Sequence, residues 1–90
     1  MTKAETDRVS LVAGLAEAYY EHQIQHKPDL DKRTFFRNAA EAGLTADALY
    51  AAIDYAVSRC GFGRYERDYW PLIQHEARRI WKETRKKPPP

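Results

Sequence analysis

An all-α domain, a single small bundle of about four helices, is what this sequence predicts, and three observations predict it. Apolar residues recur at steps of three and four in four separate stretches. No stretch shows the sustained two-residue alternation of a half-buried strand. Between the stretches stand helix stops and starts: "KPD", "AGLT" and "CGFG".

The first stretch, "TDRVSLVAGLAEAYYEHQIQ", places Leu11, Val12, Leu15, Ala18, Tyr19 and His22 along one helical face, with Glu17 and Glu21 elsewhere. Thr6 or Asp7 is expected to cap its start, and Pro28 to stop it. A second helix through "DKRTFFRNAAEA", capped by Asp29 or Asp31, is expected to bury Leu30, Phe35, Phe36 and Ala39. Gly43 falls where a left-handed C-cap is wanted. Thr45 caps a third helix whose buried stripe is Leu49, Ala52, Ile53, Ala56, Val57 and Cys60. The fourth lies in "RYERDYWPLIQHEARRIWKETRKK", with Pro71 in its first turn and Ile73, Ala77, Ile80, Trp81 and Thr84 following at helical spacing. Tyr65 to Trp70 forms a short turn before it. Leu15, Phe35, Leu49, Ile53 and Ile80 are expected to meet in one core.

With 90 residues, 43% of them hydrophobic and eleven aromatic, the chain suffices for one folded domain and not for two cores. Residues 1–86 are expected to form that helical domain and "KPPP", residues 87–90, a disordered tail. Cys60 is the single cysteine, which rules out an intramolecular disulfide and fits a reducing, cytoplasmic setting. No apolar run approaches a membrane span, and "MTKAETDRVS" lacks the apolar core of a secretory signal, so no membrane association is expected.

Charge is uneven along the chain. Residues 1–60 carry seven Lys/Arg against nine Asp/Glu, a balance of −2, and residues 61–90 carry eight against four, a balance of +4. Arg78, Arg79, Lys82, Arg85, Lys86 and Lys87 crowd into "RRIWKETRKK". Such an end suits nucleic acid or an acidic protein surface.

Catalytic and cofactor signatures are missing. Ser10 and Ser58 have no His/Asp constellation around them, and "CGFGRY" lacks the lysine and hydroxyl residue of a phosphate loop. His22 and His26, four apart, would present two imidazoles on one helical face with His75 as a third ligand. Neither "HQIQH" nor "HEARR" is a zinc signature, however. Cys60, at the negative end of a helix, reads as core. No catalytic residue, metal ligand or cofactor is therefore assigned.

Two resemblances add to this. Phe35 to Ala56, "FFRNAAEAGLTADALYAAIDYA", resembles a helix-turn-helix: Ala39, Gly43 and Leu44 at the turn, then Ala48, Leu49, Ala52 and Ile53 packing the second helix. In that family the outward positions of the second helix read base edges, and here they are Ala46, Asp47, Tyr50, Ala51 and Asp54. Aspartate is repelled by phosphate, and no arginine, lysine, asparagine or glutamine stands there to read a purine, so the motif is expected to serve as a packing corner. More broadly, Phe35 to Trp81, with "NAAEAGLTADALYAAI" and "HEARRIW", resembles the small helical domain that follows the catalytic part of some plasmid and phage primases. That resemblance implies an accessory role in the DNA metabolism of a mobile element, without polymerase chemistry.

The residues expected to bind are Arg64, Arg67, Arg78, Arg79, Trp81, Lys82, Arg85 and Lys86, interspersed with Tyr65, Tyr69 and Trp70. Cations beside aromatics suit single-strand binding surfaces, and Tyr, Trp and Arg equally dominate protein interfaces. Two functions therefore follow. One is a non-enzymatic module gripping phosphates, and the other an adaptor or inhibitor that binds one partner protein.

Overall fold

Thr2 begins the first helix, α1 (Lys3–Ile24), by accepting a hydrogen bond from the Glu5 amide at 3.2 Å. The start thus lies four residues or more ahead of the expected Thr6 or Asp7 cap. The helix ends before Pro28 exerts its restriction: Gln25 takes a left-handed conformation, φ 63°, and its amide bonds to the Glu21 carbonyl. Asp29 caps α2 (Leu30–Glu41) through the Lys32 amide, Thr45 caps α3 (Ala46–Cys60) through the Ala48 amide, and α4 runs Glu66–Lys86. This computed structural model describes residues 2–61 and 65–86, the side chain of Lys86 excepted. The expected tail at 87–90 lies outside the described residues.

At the corner between α2 and α3, Gly43 supplies the left-handed C-cap expected of it. The Leu44 amide bonds to the Ala39 carbonyl and the Gly43 amide to that of Ala40, with Gly43 at φ 106°. These two bonds are a Schellman motif, closed by the apolar contact it favours between buried Leu44 and Ala39.

α4 differs from expectation in its start. The turn at 66–70 is continuous with the rest, so Pro71 stands in the second turn of the helix, not the first. It has no amide proton for the Arg67 carbonyl, and both Arg67 and Pro71 are exposed residues. Asp68 closes the N-terminus by accepting from the Tyr65 amide.

α3 lies between α1 and α4, and α2 packs on α1 and leans against α4 through aromatic rings. Tyr20, Phe36, Leu49, Ile53, Ile73 and Val9 form the fully buried centre. Around it Tyr20, Phe36, Phe35 and Trp70 meet edge to face at centroid distances of 5.3–6.1 Å. Phe35 and Ile80 are partly buried against this core, and Thr84 is exposed with its hydroxyl bonded back to Ile80.

The buried stripe of α1 is a correction. It runs Val9, Val12, Ala13, Ala16, Tyr20 and Ile24, whereas Leu11 and Leu15 are 63% and 40% exposed and Ala18 and His22 face water. Small residues explain the choice. Ala13 and Ala16 allow α1 to sit close to its neighbours, which leucine at those positions would prevent. Leu30, in the first position of α2, is likewise 73% exposed rather than buried.

Candidate functional site

The cations of the first three helices are mostly occupied. Arg33 bonds Glu17 at 2.8 Å, Arg37 pairs with Glu41 at 3.5 Å, Arg8 donates to the Ala40 carbonyl and Arg59 stacks on Tyr55. Lys32 is the most enclosed. It reaches Glu66 at 2.8 Å and Asp29 at 3.1 Å, lies 5.2 Å from the Trp70 ring, and ties α2 to the start of α4. Burial alone would lower its ammonium, but the hydrogen bonds to Glu66 and Asp29 outweigh that and hold it above the ordinary range.

Tyr20 lies beside the same Glu66. Burial first, then the Glu66 charge, push its phenol far up, and among the described residues its hydroxyl has no acceptor in good hydrogen-bond geometry. Sequence reasoning missed this network because its members are scattered from Tyr20 to Glu66. Its Lys32–Glu66 pair joins α2 to the first residue of α4.

α4 presents a different situation. Residues three, four or seven apart share a helical face, so Arg78, Lys82 and Arg85 line one exposed strip, and Arg67 continues it three turns earlier. Among the described residues none of these four is ion-paired. The three arginines lie on aromatic rings instead: Arg67 over Tyr65 at 4.8 Å, Arg78 over Phe35 at 5.9 Å and Arg85 over Trp81 at 4.7 Å. A guanidinium held face-on to a ring keeps its N–H edge directed outward, ready for a two-pronged contact with phosphate or carboxylate.

Not every expected residue joins this strip. Arg79 points elsewhere and binds Glu76 with two bonds of 2.7 and 3.0 Å, so its charge is already neutralised. Those bonds lower the Glu76 carboxyl below its usual range in spite of burial. Tyr69 and Trp70 are taken into the core, Tyr69 donating to the Gly61 carbonyl. Arg64 lies outside the described residues, as does the side chain of Lys86.

Trp81 is half-buried, and its indole N–H donates to the Ala42 carbonyl at 3.3 Å, which fastens α4 to the α2–α3 corner. Beside it two hollows open. The larger, about 170 Å³, is lined by Phe35, Ala39, Ala42, Leu44, Ala77 and Trp81, with Asn38 and Arg78 at the rim. The smaller, about 110 Å³, shares Ala42, Leu44 and Trp81 and is edged by Arg85. The sequence offered no signal for this slot, since Ala42 and Trp81 are brought together only by the packing of α4.

Two outward positions of α3, Tyr50 and Asp54, are engaged by α1, while Asp47 and Ala51 are exposed. Tyr50 stacks on Tyr19 at 4.6 Å, and Asp54 accepts from the Tyr19 hydroxyl and from Gln23. His22 and His26 do not share a helical face, because α1 ends at Ile24 and only His22 belongs to it: His22 is exposed beside Gln23, and His26 lies 3.6 Å from Glu66. Among the described residues no group of three His, Cys, Asp or Glu side chains is placed to hold a metal ion, and no helix is long and apolar enough to cross a membrane. Compared with protein-family models, with curated proteins and with solved structures, the chain matches none.

Proposed function

We propose that this chain is a non-enzymatic module that binds nucleic acid mainly through phosphate contacts from the exposed face of α4. One observation carries the reading: Arg67, Arg78, Lys82 and Arg85 share a face, lack carboxylate partners among the described residues, and three of them rest on aromatic rings. Most other cations of the fold are spent on internal contacts. Evenly spread phosphates suit such a strip. The resemblance of Phe35 to Trp81 to a helical domain of plasmid and phage primases agrees with a place in mobile-element DNA metabolism. Tyr50 and Asp54 are engaged by α1, which supports the corner as a packing device rather than a base reader.

The test is the salt dependence of binding. Replacing Arg78, Lys82 and Arg85 by alanine should weaken binding to DNA or RNA of any sequence, and each lost contact should reduce the log-affinity against log-salt slope by about 0.9 on duplex DNA. Changing Glu76 and Arg79 together to glutamine removes one charge of each sign and should leave that slope unaltered. Absence of binding at about 50 mM salt, where the electrostatic contribution is large, would overturn the reading.

A second reading has its own observation, the apolar slot beside Trp81. An acidic partner protein could set an apolar side chain there while its carboxylates meet Arg78 and Arg85. Binding of that kind would be partner-specific and less sensitive to salt.

A further inference from the structure

Phosphate contacts leave the larger hollow unused. It is lined almost wholly by apolar side chains from α2, the α2–α3 corner and α4, it borders the Trp81 indole, and its rim carries Arg78 and the exposed amide of Asn38. Arg85 covers the indole from the smaller hollow. A flat, apolar-faced group with a polar edge, attached to an anionic backbone, matches each of these features. Its faces would meet Phe35, Ala77 and Trp81, its edge would meet Asn38, and its flanking anions would meet Arg78, Lys82 and Arg85.

We propose that this slot takes one unpaired nucleobase, which makes the module selective for single-stranded over double-stranded nucleic acid. The proposal rests on the phosphate-binding reading and sharpens it. In a duplex each base is stacked and paired, so its faces cannot enter an apolar slot unless the duplex opens. In a single strand the base is free to leave its neighbours, and aromatic or apolar contact with any base type is favourable. Charge complementarity favours this occupant: the cations continue past the slot along α4 to Arg85 on one side and to Arg67 on the other, as a strand running along the helix would require.

The experiment uses the full chain and three labelled probes of equal length, followed by fluorescence anisotropy at fixed salt: an oligothymidylate, a duplex, and a strand whose sugars carry no bases. The oligothymidylate should bind at least about fivefold more tightly than the baseless strand, the lower end of what stacking one base contributes. Ala42→Leu, at an exposed position lining both hollows, should remove that difference and leave affinity for the baseless strand unchanged. Asn38→Leu, one turn earlier on the α2 side of the hollow, should do the same and serves if the first variant does not fold.

Equal binding of oligothymidylate and baseless strand by the unaltered protein overturns the slot proposal while leaving phosphate binding in place. No binding to any of the three overturns both. Binding of a glutamate-rich peptide containing one tryptophan, blocked by Ala42→Leu and without binding of any strand, assigns the slot to a protein and overturns the proposal as well.

Discussion

Lys32 keeps its charge in a site where its side chain is only 11% exposed, because Glu66 and Asp29 supply two short bonds and Trp70 a ring face. Removing one partner is expected to cost more than removing both, since the remaining charge keeps its desolvation without compensation. Lys32→Met should therefore destabilise the fold by about 1–3 kcal/mol, and adding Glu66→Gln should recover part of the loss. Urea midpoints of the two single variants and the double variant check this, and strict additivity would mean the pair is not coupled.

Glu76 gives the acid limb of stability. Arg79 holds its folded pKa below the ordinary 4.5, so the unfolded chain takes up its proton first as pH falls. The contribution is complete above about pH 4.5 and is lost as pH drops through the lowered folded value. Asp29 acts in the same direction, its carboxylate lowered chiefly by the Lys32 amide. Glu76→Gln should make stability measured by thermal melting less steep in acid, with no change in slope near neutrality.

At the scale of the element, α1 shows how position outweighs apolarity. Leu11 is larger and more hydrophobic than Ala16, yet Leu11 faces water and Ala16 is fully buried. Leu11→Ala is expected to change stability by no more than about 0.5 kcal/mol. Ala16→Leu must push α1 away from its neighbours and should cost about 1–3 kcal/mol. The reverse order in chemical denaturation would mean that α1 packs on the leucine stripe after all.

For the whole molecule, the arrangement segregates its charges. The cations of α1 and α2 are mostly held by carboxylates or carbonyls of the fold, and the +4 surplus of residues 61–90 is concentrated on α4 and the residues that flank it. Nucleic-acid affinity should accordingly be indifferent to α3. Tyr50→Ala, which removes a ring stacked on Tyr19, should leave binding nearly unchanged provided circular dichroism shows the helices intact. A sequence-dependent loss of duplex binding in that variant would restore base reading by the third helix.

The sequence by itself determined the existence of four helices, the Thr45 cap, the left-handed Gly43 and the buried centre of the α3 stripe, Leu49, Ala52, Ile53 and Ala56. It left the α2 cap open between Asp29 and Asp31, and it placed in the stripe Val57 and Cys60, which are only partly buried. Each feature it determined rests on interactions within a few residues: a side-chain oxygen meeting an amide three positions on, a glycine free of a Cβ, a periodicity fixed by 3.6 residues per turn. The basic run of α4 was legible too, as composition. Only the tertiary structure decided which face of α1 is buried, because two apolar stripes overlap there and the choice depends on how closely α2 and α3 approach. It also decided that Arg79 is neutralised by Glu76 while Arg78 and Arg85 rest on aromatic rings, and that Ala42 meets Trp81 to make a slot. Those outcomes join residues as far apart in the chain as Phe35 and Arg78, and no local periodicity encodes a distance that is set by the packing of one helix against another.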